Sequence, residues 1–143
     1  MKLKTDAFTL LELVIALAII AALATFAVPS YRGHALRANR MDAAAALYRA
    51  AQFIESRVPA GVTALPPGLD QAPLSGTPIY RLHVLPSDDI NGGYAVEARP
   101  ADAGPMRDDE CGTFVLDGTG ARTNRAATSG AVPAESDQCW RSR

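Results

Sequence analysis

From Phe8 to Val28 the chain runs through 21 residues of which only Glu12 is ionisable. At 1.5 Å per residue that stretch makes roughly 32 Å of helix, about the thickness of a bilayer's hydrocarbon core. A charged side chain inside such a span costs on the order of 2–3 kcal/mol, and less near an end. Glu12 is therefore a candidate functional residue that needs a partner; the alternative is a carboxylate close to the interface, or one that is protonated. The leader before the run, MKLKTDA, carries Lys2 and Lys4 and so places positive charge on the cytoplasmic side. A cleavable secretory signal has an apolar core of about 7–15 residues. This run is longer, Glu12 would interrupt the core, and Thr25–Ala27 is a weak cleavage site.

The segment FTLLELVIALAIIAALATFAVPSY, residues 8–31, resembles the N-terminal segment of type IV pilins and pseudopilins. Phe8, Thr9, Leu10, Glu12, Leu13, Pro29 and Tyr31 stand at that family's spacing. The resemblance implies cleavage by a prepilin peptidase between Ala7 and Phe8, N-methylation of Phe8, and residence in the inner membrane until assembly. It also supplies the partner for Glu12, the positively charged N-terminus of a neighbouring subunit, so that Glu12 and Pro29 belong to the assembly segment. Two positions depart from the family pattern: Ala7 stands where glycine usually precedes the cut, and Ala21 where a glycine often sits midway along the span. Alanine favours helix over glycine by about 1 kcal/mol, whereas Pro29 removes one helical hydrogen bond and is expected to kink the helix.

Residues 30–56 read as a continuation of the helix. Leu36, Ala43, Leu47, Ala51 and Ile54 form an apolar stripe, with Arg37, Arg40, Asp42 and Arg49 at other positions. Residues 57–78, rich in proline and glycine, read as a loop. IYRLHVL (79–85) and YAVEARP (94–100) alternate as an antiparallel strand pair joined by PSDDINGG. Residues 111–123 supply a third strand, a turn at Asp117–Gly120 and the start of a fourth; a polar segment, 124–138, then leads to Cys139. The expected fold is α+β: a long N-terminal helix, half transmembrane and half amphipathic, packed on a small antiparallel sheet with one C-terminal disulfide-closed region. The expected organisation is a leader at 1–7, a transmembrane assembly helix at 8–29, and a periplasmic head at 30–143.

Cys111 and Cys139 fit no C-x-x-C redox or zinc pattern. Behind a membrane-targeting segment they read as one disulfide made in an oxidising compartment, with two buried thiols as the alternative. Residues 30–57 carry a net charge of +3 and residues 58–143 a net charge of −4. That asymmetry suits subunits packing on one another, or simply solvated faces. The negative head argues against nucleic acid as a partner. His34 and His83 fall on different elements and read as solvated. No residue grouping supports catalysis, a cofactor or a small-molecule substrate, and the acidic turns at 87–89 and 108–110 lack a dedicated calcium-loop pattern, so no metal is expected.

Cys111, Gly112, Thr113, Asp117, Gly118, Gly120, Arg122, Cys139 and Trp140 are similar to the corresponding residues of PilE-like minor pilins. Trp140 there covers the sheet or the disulfide, or else meets a partner. The sequence reading is thus a structural subunit of a type IV pilus, a minor pilin supporting pilus biogenesis, twitching motility, adhesion or DNA uptake. Its implied partners are other pilin subunits, the prepilin peptidase and the assembly machinery. Its implied location is the inner membrane, then the pilus on the cell surface. A type II secretion pseudopilin is the alternative, and a membrane-anchored periplasmic binding protein or enzyme a remote one.

Overall fold

The computed structural model describes residues 8–57, 61–126 and 136–141. The leader, including Ala7, lies outside the described residues, as does most of the expected polar segment between residue 126 and Cys139. The chain falls into two compact units, divided between Ala35 and Leu36.

Helix α1, Leu10–Glu55, is 46 residues long and contributes to both units. It begins where the sequence offers a cap. The Thr9 hydroxyl accepts the Glu12 backbone N–H at 3.2 Å, and the Thr9 carbonyl accepts the N–H of Leu13 at 3.2 Å. Thr9-x-x-Glu12 has the spacing of a capping box, and a carboxylate in the first turn complements the helix dipole. In the first unit the residues from Phe8 to Arg32 are all exposed. Pro29 lies within the helix, where it has no N–H to offer the Thr25 carbonyl. The Thr25 hydroxyl donates to the Ala22 carbonyl at 2.7 Å.

In the second unit α1 buries Ala43, Ala44, Ala46, Leu47, Ala50, Ala51 and Ile54. The expected stripe is there, with Leu36 partly buried beside it. Five of the seven are alanines, so the larger sheet residues supply most of the core volume on this side. The sheet has five strands in the order β1 (Gln71–Ala72), β2 (Tyr80–Leu85), β3 (Ala95–Pro100), β4 (Thr113–Asp117) and β5 (Arg122–Arg125), each antiparallel to the next. The expected strand pair and the third and fourth strands are all present. The reading of 57–78 as loop needs a correction, because β1 lies inside it. Two residues pair there, Gln71 with Arg81 and Ala72 with Tyr80, too short a run for alternation to register in a sequence.

The inner face of the sheet carries Tyr80, Leu82, Val96, Ala98, Phe114 and Leu116 into a core shared with α1 and Met106. Tyr80 meets Phe114 edge-on at 5.9 Å, and Phe114 meets Trp140 edge-on at 5.2 Å. Burial, then the nearby Asp109 charge, pushes the Tyr80 hydroxyl well above its usual range.

Two turns interlock at one end of the sheet. Asn91 accepts the N–H groups of Asp88 and Gly93 and donates to the Pro86 carbonyl, while the Gly118 N–H reaches the carbonyls of Asn91 and Tyr94. Gly92 has φ +71°, and a Cβ there would stand 2.7 Å from the Gly118 carbonyl carbon. Only glycine fits both the conformation and the approach. The Thr119 hydroxyl, with neighbouring backbone N–H groups, holds the Asp117 carboxyl below its usual range. Asp117's contribution to stability is therefore full above the ordinary carboxylate pKa and is lost as pH falls through the lowered one.

The C-terminus is fastened to this core. Cys111 and Cys139 form a disulfide across 28 residues, as expected, and helix α2, Ser136–Cys139, sits at β5. Trp140 donates its Nε1–H to Asn124 Oδ1 at 2.7 Å, and Asn124 donates Nδ2–H to the Cys111 carbonyl at 2.9 Å. Asn124 is fully buried. Replacing Cys139 by serine removes a loop closure worth about 3–4 kcal/mol in the chain-entropy model. The variant should show faster proteolysis at its C-terminal segment and a matching fall in melting temperature. Wild-type protease resistance would mean that the Trp140–Asn124 contact fastens the segment alone.

Candidate functional site

The residues singled out from the sequence fall into separate groups. Phe8, Glu12 and Pro29 lie in the first unit, Cys111 and Cys139 are bonded in the second, and Ala7 is outside the described residues. His34 lies on α1 in the first unit and His83 on β2 in the second. Among the described residues no group of three His, Cys, Asp or Glu side chains could hold a metal ion.

In the first unit α1 presents Leu10, Leu11, Leu13, Val14, Ile15, Leu17, Ile19, Ile20 and Leu23 outward. It is long and apolar enough to cross a membrane, and its most apolar window buries nothing within the chain. Such a surface needs an apolar environment, whether lipid or other helices. Glu12 is exposed amid this surface. Thr9 engages its backbone N–H, which leaves the carboxylate available to an outside cation.

In the second unit the strand register assembles a charged row that the linear sequence does not display. On the face away from α1, Gln71 pairs with Arg81, Arg81 with Arg99, and Thr113 with Arg125. The β3–β4 register, Ala98 with Phe114, carries the row from Arg99 to Thr113. Arg81, Arg99 and Arg125 are all exposed. With strands about 4.8 Å apart, the three guanidinium-bearing positions cover roughly 14 Å across four strands. Like charges directly opposite on neighbouring strands destabilise a sheet, so the Arg81–Arg99 pairing is costly unless something compensates.

The compensating group is Glu97. Strand alternation puts it on the same outer face and so predicts exposure, yet its side chain is only 1% exposed. Its Oε1 lies 2.6 Å from Arg99 Nε and its Oε2 3.7 Å from Arg125 Nη1. Among the described residues Oε2 has no hydrogen-bond partner. A buried carboxylate is tolerated chiefly when paired, and these two arginines provide the pairing while remaining 59% and 50% exposed. Sequence reading missed Glu97 because the alternating pattern YAVEARP marks it as a solvent position. The one signal that could have found it is the arginine two residues along the same face.

A second ionic contact is structural. Arg40 on α1 grips Asp109 with Nε to Oδ2 at 3.0 Å and Nη2 to Oδ1 at 2.5 Å, and reaches Glu110 Oε1 at 3.3 Å. The Asp109 side chain is 2% exposed. Its hydrogen bonds raise the Arg40 pKa above its usual value, so the guanidinium is charged at any working pH.

Comparison with known families agrees with both halves. Residues 29–115, more than half of the chain, match the family described as type IV minor pilin ComP, DNA uptake sequence receptor. Residues 3–28 match the prokaryotic N-terminal methylation motif. No curated protein matches the chain.

Proposed function

The chain belongs to the ComP family of type IV minor pilins and is a minor subunit of a type IV pilus, and from that premise we propose that its head contacts DNA through the row Arg81, Arg99 and Arg125. The carrying observation is the register that lines up these three exposed arginines on one sheet face. Guanidinium groups are well matched to phosphate oxygens, and phosphate contacts supply most sequence-independent affinity. The net charge of −4 over residues 58–143 opposes this only if charge is averaged over the surface. At a distance of one Debye length, about 8–10 Å, the local arrangement decides.

The full chain in detergent micelles should bind a short labelled duplex with an affinity that falls steeply with salt. Each of Arg81→Ala, Arg99→Ala and Arg125→Ala should weaken binding and lower the slope of log K against log salt by about one per lost phosphate contact. Unchanged binding in all three would place any DNA contact elsewhere.

The N-terminal half serves assembly in this reading. A prepilin peptidase cuts before Phe8 and the new amine is methylated. The helix holds the chain in the inner membrane with its head in the periplasm, and Glu12 then meets a neighbouring subunit's N-terminus as the chain enters the pilus. The partners are other pilins and the assembly machinery, and no catalytic step is involved. Glu12→Ala should insert normally, since it removes a charge from the span, and its intact mass should show the same processed N-terminus as wild type. Its recovery in sheared pili should drop severalfold. Wild-type recovery would leave Glu12 with only its place in the Thr9 cap. A pseudopilin role in type II secretion gains no support from the family match at residues 29–115.

A further inference from the structure

We propose that Glu97 is a positioning residue for nucleic acid, a buried carboxylate that orients Arg99 and Arg125 so that their outward groups meet successive phosphates. The inference rests on the DNA-binding reading of this face and adds to it a residue of the opposite charge to the one a polyanion attracts.

Glu97 lies one row from the arginines, two residues before Arg99 on β3 and two strands from Arg125 on β5. Its two oxygens are divided between them, Oε1 to Arg99 Nε at 2.6 Å and Oε2 to Arg125 Nη1 at 3.7 Å. Arg99 engages through Nε while its side chain stays 59% exposed, so the guanidinium remains open to an outside acceptor. Arg125 stands beyond hydrogen-bond reach of Oε2, which has no hydrogen-bond partner among the described residues; it is held by charge and can give its donors to a phosphate. A free arginine loses rotamer freedom when it binds. Here that ordering is done in advance by a carboxylate too deeply buried to do without its partners. The same negative charge relieves the repulsion between Arg81 and Arg99, which are directly opposed on β2 and β3.

Two effects therefore oppose each other when Glu97 is neutralised. Simple electrostatics predicts tighter DNA binding, because one negative charge leaves the face. Positioning predicts weaker binding, because two arginines are released. With an ordering cost near that of one immobilised side chain on each arginine, the loss should be about tenfold.

The test uses the full chain in detergent micelles and fluorescence anisotropy with a short labelled duplex, at salt from about 50 to 200 mM. Glu97→Gln should bind about tenfold more weakly than wild type with an unchanged salt slope, and its near-ultraviolet circular dichroism should match wild type. Binding equal to or tighter than wild type would overturn the proposal. Because the buried position could make Glu97→Gln fold poorly, Arg99→Lys provides an independent reading at an exposed site. Lysine keeps the charge but has neither the Nε contact nor the outward fork, so a similar loss at constant slope is expected, and wild-type affinity would overturn the proposal. If wild type itself shows no salt-dependent binding, the DNA reading fails and this inference fails with it. Salt-dependent binding that Arg81→Ala weakens, together with wild-type affinity in Glu97→Gln and Arg99→Lys, would keep the DNA reading and remove the positioning role alone.

Discussion

Replacing Arg40 by alanine should cost the head about 3–5 kcal/mol, the usual loss when one partner of a buried ion pair is removed and the other is left without its counter-charge. The geometry supports the upper part of that range. Arg40 makes a bidentate contact with Asp109, whose side chain is 2% exposed against 15% for the arginine. Without it, the Asp109 carboxylate is left, among the described residues, with the Cys111 backbone N–H at 3.3 Å. The pair joins α1 to the turn that precedes the disulfide, so its loss also loosens that turn. At about 4 °C or more per kcal/mol for a domain of this size, the melting temperature should fall by more than roughly 12 °C. Arg40→Lys should lie between wild type and alanine, because lysine keeps the charge and loses the fork. Arg40→Leu combined with Asp109→Leu should recover much of the loss, since apolar residues of similar volume can replace a buried pair. A fall of less than about 1 kcal/mol in Arg40→Ala would class the contact with ordinary surface ion pairs.

Trp140→Ala is expected to be comparably severe, at about 3–5 kcal/mol for the loss of a large buried aromatic. The ring packs edge-on against Phe114, and its N–H is the donor to Asn124 Oδ1 in a fully buried amide. Removing the indole opens a cavity and leaves that oxygen unsatisfied. Trp140→Phe separates the two effects: it keeps much of the ring contact, so its cost, about 1–3 kcal/mol, measures the orphaned amide. Thermal unfolding of the full chain in micelles, followed by near-ultraviolet circular dichroism, reads both variants. If Trp140→Phe and Trp140→Ala lost equal stability, the ring packing would contribute nothing beyond the hydrogen bond.

Trp140 was visible in the sequence as an aromatic beside a cysteine, with burial against the sheet or disulfide as one of its two readings; its partner Asn124 was not. An asparagine in a polar stretch carries no periodic signal, and only the pairing of Phe114 with Asn124 across β4 and β5 turns it inward. In the sequence Arg40 has only the pattern of a polar position on an amphipathic helix. Its role depends on Asp109, 69 residues away, and a contact at that separation leaves no mark in local pattern.

What the sequence determined by itself was whatever depends on near neighbours. The apolar run from Phe8 to Val28, the stripe from Leu36 to Ile54 and the alternating strands all follow from local apolar content and from helix and strand periodicities of 3.6 and 2, which short windows display. The family motif at residues 8–31 is local in the same sense. The tertiary structure alone decided the outer face of the sheet. Arg81, Arg99 and Arg125 are scattered over 45 positions and become neighbours only because three successive antiparallel registers bring them into one row. Glu97 reads as a solvent residue until that row surrounds it. Register is set by the sum of pairings over whole strands, and a slip of one residue would send every one of these side chains to the other face. The charged row is therefore a property of the fold, which total composition does not contain.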